Sequence, residues 1–179
     1  MKRNQILKLL SSYKAHDELE SLMAADAEQF IKENPDCFER SLLVGHVTGS
    51  AWIVNPEQTH TLLMHHKKLD KWFQPGGHCD GDPDVLAVAL KEAMEETGLN
   101  FRVLSPKIFD IDNHIIPQRK DIPAHTHYDI RFLLEADKVL DELPSNSEAT
   151  AVRWVKLADV HLYNNSESIM RMVRKLFSK

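Results

Sequence analysis

The stretch "QPGGHCDGDPDVLAVALKEAMEETGLN", residues 74–100, constrains the fold of this 179-residue chain more than any other segment. Asp82 is a suitable N-cap, Pro83 suits a first helical position, and Gly98 is a natural residue just beyond a helix end. These signals predict a helix from about residue 83 to 97 that is entered directly from a glycine-rich loop.

Three carboxylates crowd one flank of that helix. Glu92, Glu95 and Glu96 stand at positions i, i+3 and i+4, where like charges repel by roughly 0.2–0.5 kcal/mol per pair. A hard divalent cation prefers oxygen ligands and would offset this repulsion. The pattern alone is also that of an ordinary solvated helix surface. The preceding glycines favour the metal site, because residues without a Cβ atom let the backbone approach a ligand closely.

The whole stretch resembles the Nudix box, G-x5-E-x7-R-E-U-x-E-E-x-G-U, in which U is a bulky aliphatic residue. Gly77 takes the first position, and the end of the box falls in register at Glu92, Ala93, Glu95, Glu96, Gly98 and Leu99. The flanking segments "SAWIVN", "HTLLMHHKKLDKWFQPGGH" and "AVRWVKLADV" resemble the strands around that box in bacterial Nudix proteins. Two positions depart from the pattern, since Pro83 stands where the first glutamate is expected and Lys91 replaces the arginine.

The resemblance implies an α/β fold, a Nudix-type α/β/α sandwich with a mixed β-sheet. The order of predicted elements (helices, strands, one helix, strands, helix) independently favours a mixed sheet between helices over alternating βαβ units. We expect residues 1–40 to form an N-terminal helical extension, similar to that of one bacterial Nudix subgroup, and residues 41–179 to form the Nudix hydrolase domain.

The resemblance also implies a chemistry, because Nudix hydrolases use Mg²⁺ or Mn²⁺ to cleave a diphosphate that is linked to another moiety. By this likeness Glu92, Glu95 and Glu96 hold the metal, together with the main-chain carbonyl of Gly77. Either Glu92 or Glu148 acts as the general base that activates water. Glu148 is the second candidate because family members often draw a base from the loop before the last strand.

Three cations are candidates for binding the substrate's phosphate oxygens. Lys67 and Lys68 follow a predicted strand, and Arg131 lies within a later one. For the two lysines, the alternative is an ordinary solvated turn.

Histidines indicate a further site. In "HTHYDIRF" the polar residues alternate from position 125 to 131, so on a strand they share one face. Imidazole suits Zn²⁺ better than Mg²⁺. We expect this face to line the catalytic cleft opposite the glutamate helix and to bind a second, softer metal or the substrate's distal phosphate. A solvent-facing strand side is the alternative. The candidate residues are His78, His114, His125, His127 and Asp129.

Charge and hydropathy limit the partners. A net charge of −5 argues against duplex nucleic acid, and no apolar run approaches the roughly 20 residues that span a bilayer. The expected partner is a small-molecule diphosphate, and the resemblance adds a homodimer, which Nudix proteins often form. Two cysteines make no disulfide framework and no signal peptide is evident, so we expect a cytoplasmic protein.

Three functions remain open. The first is hydrolysis of a nucleoside diphosphate derivative or a similar compound. The second is a Nudix module that senses a ligand without turnover, which the departures at Pro83 and Lys91 keep open. The third is an isomerase similar to isopentenyl-diphosphate isomerase, whose catalytic cysteine and glutamate have no clear counterparts in this sequence.

Overall fold

The computed structural model describes residues 3–67, 69–119, 121–136 and 149–177. The helices within these ranges are α1 Arg3–Ser11, α2 Glu18–Glu33, α3 Val85–Thr97 and α4 Glu167–Phe177, with a 3₁₀ segment at Leu157–Leu162. In the part of the chain that is described, no helix combines the length and the apolar character needed to cross a bilayer.

Eight strands of the described residues form one mixed sheet around β1. The strands are β1 Gly45–Val54, β2 His60–His66, β3 Lys71–Phe73, β4 Gly76–His78, β5 Phe101–Val103, β6 Asp110–Ile116, β7 His125–Ala136 and β8 Ala149–Lys156. Their order is β3-β2-β1-β7-β5, with β4 on β1, β6 on β7 and β8 on β2. β1 and β7 run parallel, whereas the other pairs are antiparallel. The predicted α/β fold with a mixed sheet and helices is therefore confirmed.

The two faces of the sheet are covered by different helices. Odd-numbered β1 residues such as Val47 pack with Val88 and Ala89 of α3, and we call this side the α3 face. Even-numbered β1 residues point the other way, where Trp52 packs with Met172 of α4, and we call this side the α4 face. Each β1 side chain is thus assigned to one face by its position in the strand.

The predicted N-terminal helices are present, as two helices separated by residues 12–17. They share the main core, since Ile6 of α1 and Ile31 of α2 are buried in the same apolar cluster as Ile130 of β7. Phe30 stacks on Tyr128 with ring centroids 4.1 Å apart. The domain boundary at residue 40 stays a prediction.

The structure corrects the start of α3 and confirms its end. The helix begins at Val85 because Asp84, and not Asp82, is the N-cap, and its side chain accepts a hydrogen bond from the Ala87 amide at 3.1 Å. Asp82 instead accepts from the Asp84 amide at 3.0 Å, in the turn before the helix. Gly98 ends the helix in the left-handed region, with φ of 69°.

Candidate active site

The predicted glycine loop forms a short strand that lies between β1 and α3. β4 is antiparallel to β1, with Gly77 opposite Gly49 and Gly76 opposite Ser50. The Gly76 amide donates a hydrogen bond to the Glu96 Oε2 at 2.9 Å. This bond attaches a carboxylate of α3 directly to the glycine strand.

Gly77 lies so close to Glu92 that a side chain at this position would displace the Glu92 carboxylate. A Cβ atom at Gly77 would lie 2.5 Å from the Glu92 Oε2 and 2.6 Å from its Cδ. At Gly76, a Cβ atom would lie 2.6 Å from the Cα of Ser50. The two glycines therefore serve different contacts: Gly77 makes room for a carboxylate, and Gly76 makes room for the neighbouring strand.

The carboxylates on this flank of α3 differ in exposure. The Glu92 side chain is 21% exposed and that of Glu95 is 60% exposed. Lys91 Nζ lies 3.8 Å from an oxygen of each of them. An ammonium group therefore already offsets part of the like-charge repulsion on this part of the helix.

These residues fit a hard divalent cation. Carboxylate and main-chain oxygens are the donors that Mg²⁺ and Mn²⁺ prefer, and the glycine strand provides a cradle that a Cβ atom would fill. The sequence predicted this convergence of Gly77, Glu92 and Glu96. Their role as metal ligands, and that of the more exposed Glu95, stays a prediction.

The N-terminal segment braces the connection between β4 and α3. Asp80 accepts two hydrogen bonds from the guanidinium of Arg40, and these bonds hold the pKa of this carboxyl below its usual value. The Gly81 amide, at a residue with φ of 84°, donates to the Phe38 carbonyl at 3.0 Å. The loop between β4 and α3 is therefore held by residues that precede the Nudix-like box. Within the box itself, Pro83 stands where the family pattern has a glutamate.

The structure gives no support to the prediction that Arg131 binds substrate, because this residue is 3% exposed. Its guanidinium lies 2.7 Å from Asp129, 3.1 Å from Asp110 and 3.3 Å from Asp112. β6 supplies two of these acids by pairing alongside β7. The alternation of β7 did not show that a neighbouring strand and α4 would cover this polar face.

The structure likewise gives no support to the predicted place of Asp129 in the histidine site, because its carboxylate is already engaged by neighbouring side chains. Its carboxylate accepts hydrogen bonds from Thr48 at 3.0 Å and from Ser50 at 2.8 Å, besides the contact with Arg131. The two hydroxyls belong to the parallel neighbour β1. Asp129 is thereby a structural link between β1 and β7 that also balances the charge of Arg131.

The predicted phosphate contacts of Lys67 and Lys68, and the predicted role of Glu148 as a base, stay predictions. Lys67 is exposed in the turn after β2. Lys68 and Glu148 lie outside the described residues.

Histidines converge on the α4 face. The set comprises His46 of β1, His78 of β4, His114 of β6, and His125 and His127 of β7. Each ring centroid lies within 5.5 Å of at least one other member. We call this set the histidine cluster.

His46 is the member that the sequence did not predict. It is the register partner of His127 in the parallel β1–β7 pair, and their ring centroids are 4.7 Å apart. Burial, with the neighbouring imidazoles, lowers the pKa of His46 to about 4 and that of His127 to about 2. Both rings are therefore neutral near pH 7. Alternation within "GHVTGS" marks the face of His46, but only the pairing of distant strands shows what lies beside it.

The predicted position of the histidines opposite the glutamate helix is wrong. On β4, Gly77 faces Glu92 of α3, whereas the next residue, His78, has its ring 5.0 Å from that of His46 on the α4 face. The cluster and the glutamates therefore lie on opposite faces of the sheet, joined by β4. The two sites are separated because α3 packs over Gly49, on the side of β1 that carries the odd-numbered residues, whereas His46 lies on the other side.

Neither cysteine is prepared for nucleophilic chemistry. Cys79 is 4% exposed, and burial raises the pKa of its thiol. Burial likewise raises the pKa of Cys37 to about 11. Reactive cysteines have the opposite property, a lowered pKa in a partly exposed site. This finding gives no support to an isomerase that depends on a cysteine.

Comparison with known proteins agrees with this geometry. A family model described as NUDIX domain matches residues 45–176. The Phosphatase NudJ of Escherichia coli (strain K12) is 26% identical over 99 residues, which are 54% of this chain and 59% of that protein. The match thus spans less than two thirds of the relative's length.

Solved structures show the same fold. A hydrolase of the NUDIX family from Clostridium perfringens matches with a TM-score of 0.55 and 23% identity, over 74% of this chain and 97% of that chain. An ADP-ribose pyrophosphatase from Streptococcus suis matches with a TM-score of 0.51 and 23% identity, over 72% of this chain and 89% of that chain.

Proposed function

Because the chain belongs to the Nudix hydrolase family, we propose that it uses Mg²⁺ or Mn²⁺ to hydrolyse a diphosphate linked to another moiety. The observation that carries this proposal is the contact of the glycine strand with α3, where Gly76 bonds to Glu96 and Gly77 lies against Glu92. Two carboxylates of the helix therefore lie against the glycine strand. The proposed substrate class is a nucleoside diphosphate derivative, since the Streptococcus suis neighbour is named for ADP-ribose.

The proposed ligands are the Gly77 carbonyl and the carboxylates of Glu92, Glu95 and Glu96. When bound, the ion supplies positive charge against the diphosphate and acidifies water. The chain's own contribution is preorganisation, because the Gly76 amide orients Glu96 before substrate arrives.

The general base is proposed to be Glu92 or Glu148. Support for Glu92 comes from its partly buried carboxylate beside Gly77. The pH dependence of kcat separates the two: substitution of the base by glutamine removes the acidic limb of the profile, whereas substitution of the other residue leaves that limb in place.

A screen of the purified chain against diphosphate compounds, with Mg²⁺, Mn²⁺ or Zn²⁺, tests the function. We expect cleavage within the diphosphate, with two phosphorylated products, and loss of turnover in Glu96→Gln. Tight binding of a compound that is never cleaved would support a ligand-sensing module. Rearrangement of an intact diphosphate would support the isomerase.

The proposed compartment is the cytoplasm, where thiols stay reduced, because Cys37 and Cys79 are free. A homodimer remains a prediction that sedimentation of the purified protein tests.

A further inference from the structure

We propose that His46, His125 and His127 form a site for a transition-metal dication of the Zn²⁺ class, separate from the carboxylate site on α3. One side-chain nitrogen from each of the three lies within 4.8 Å of those of the other two. The proposal does not rest on the proposed hydrolysis, because its residues lie on the other face of the sheet.

Two paired strands fix the backbone beneath the site. His46 and His127 are directly paired in the parallel β1–β7 ladder, and His125 lies two residues before His127 on the same strand. A tetrahedral Zn²⁺ with Zn–N bonds of about 2.0–2.1 Å holds its nitrogens about 3.4 Å apart. Binding would therefore draw the nitrogens together from the present separations of up to 4.8 Å, through rotation of the partly exposed rings of His125 and His127.

Two imidazole nitrogens at the centre of the histidine cluster have no hydrogen-bond partner among the described residues. Among the described residues, the Nε2 atoms of His46 and His127 are buried and make no hydrogen bond. A buried polar atom without a partner costs about 1–3 kcal/mol. Coordination to one ion would satisfy both atoms, because a neutral imidazole nitrogen is a transition-metal ligand.

Main-chain carbonyls outside the histidine cluster orient two of the rings. His125 Nδ1 lies 2.9 Å from the Pro123 carbonyl, and His46 Nδ1 lies 3.5 Å from the Leu42 carbonyl. A ring that donates from Nδ1 to a carbonyl presents the Nε2 lone pair to a metal. This arrangement is the usual second shell of a metal-binding histidine.

The type of ligand atom determines which metal ion each site prefers. Imidazole ligands favour Zn²⁺, Ni²⁺ or Cu²⁺ over Mg²⁺, whereas the carboxylates on α3 favour Mg²⁺. His78 is placed to complete the shell, with its ring 5.0 Å from that of His46 and 5.1 Å from that of His127. Because His78 directly follows Gly77, an ion held by His78 would also hold β4 against β1.

The test is titration of the metal-free full chain with Co²⁺, whose visible absorption reports tetrahedral nitrogen ligation, followed by displacement with Zn²⁺ in excess Mg²⁺. We expect one equivalent to bind, and His125→Ala to weaken Zn²⁺ binding at least about 10-fold. The matched controls are His161→Ala, which removes an exposed histidine of the 3₁₀ segment, and Glu96→Gln, which alters only the carboxylate site. Both controls should bind like the wild type.

Thermal unfolding gives a second readout that does not depend on activity. Zn²⁺ should raise the unfolding temperature of the wild type and of His161→Ala, and raise it less in His125→Ala, since a ligand that binds only the folded state stabilises it. The proposal is overturned if the wild type binds no Zn²⁺ in excess Mg²⁺, or if His125→Ala binds Zn²⁺ as tightly as the wild type. An equal loss in His161→Ala would also overturn it.

Discussion

The amide of Gly76 donates to the Glu96 carboxylate at 2.9 Å and so joins two residues that are 20 positions apart in the sequence. The next residue, Gly77, lies against Glu92, one helical turn earlier on α3. The strand and the helix are therefore held together at two points, beside the carboxylates of the proposed metal site.

Glu95→Gln and Glu96→Gln should each lower kcat at least about 100-fold, since the loss of a carboxylate from the metal site costs several kcal/mol at the transition state. Folding stability should stay equal or rise slightly, because crowded negative charge is removed. Glu33→Gln, at an exposed position on α2, is the control and should keep full activity. Near-wild-type turnover in either active-site variant contradicts its assignment as a ligand.

Gly77→Ala should reduce activity more than stability. The added methyl would displace the Glu92 carboxylate, which is the movable end of a side chain, so kcat should fall about 10-fold or more. Gly76→Ala should do the reverse and destabilise the fold, because its methyl meets the Cα of Ser50 in the adjacent strand. Steady-state kinetics and thermal unfolding of both variants check this contrast. A Gly77→Ala enzyme with normal kcat would show that the Gly77–Glu92 contact is not needed for turnover.

Arg171→Met should destabilise the fold by about 3–5 kcal/mol, because removing one partner leaves a buried charge uncompensated. Arg171 is 1% exposed and lies 2.8 Å from the Asp110 carboxylate. Urea unfolding measures the loss. The matched control is Arg102→Met, which breaks a pair with Glu135 in which the arginine is 69% exposed. That change should cost less than about 1 kcal/mol. Equal effects of the two variants would contradict a structural role for Arg171.

The stabilising effect of Asp110 should disappear in acid. Burial opposes ionisation of Asp110, but the hydrogen bond from Arg171 and the charges of Arg131 and Lys175 outweigh it, so its pKa is lowered. An aspartate with a lowered pKa contributes stability that is complete above its unfolded pKa of about 3.9 and is lost as the pH falls below that value. The difference in unfolding free energy between the wild type and Asp110→Asn should therefore be constant above about pH 5 and shrink below about pH 4. A difference that grows in acid would contradict this sign.

Local patterns predicted the elements that depend on neighbouring residues. The end of α3 could be predicted because Gly98 adopts the left-handed conformation that suits glycine. The strands followed from alternation, and the resemblance to the Nudix box implied that the glycine loop lies beside the glutamates of the helix.

Pairing between distant segments could not be predicted from local patterns. β1 pairs in parallel with β7 over its whole length, from Gly45 with Thr126 to Val54 with Glu135. That pairing brings His46 to His127, and no local pattern in the sequence indicates it. The same limit applies to Arg131. Alternation gives the face of the strand on which its side chain lies, but not the acids that the neighbouring strand places beside it.

The proposed metal site can be located in a crystal of the protein soaked with Mn²⁺ and a non-hydrolysable diphosphate analogue, by the anomalous scattering of the metal. We expect Mn²⁺ at about 2.0–2.3 Å from the Gly77 carbonyl and from carboxylate oxygens of Glu92 or Glu96, with the diphosphate bound to the same ion. Mn²⁺ and diphosphate bound elsewhere, with the carboxylates of α3 uncoordinated, would contradict the proposed site.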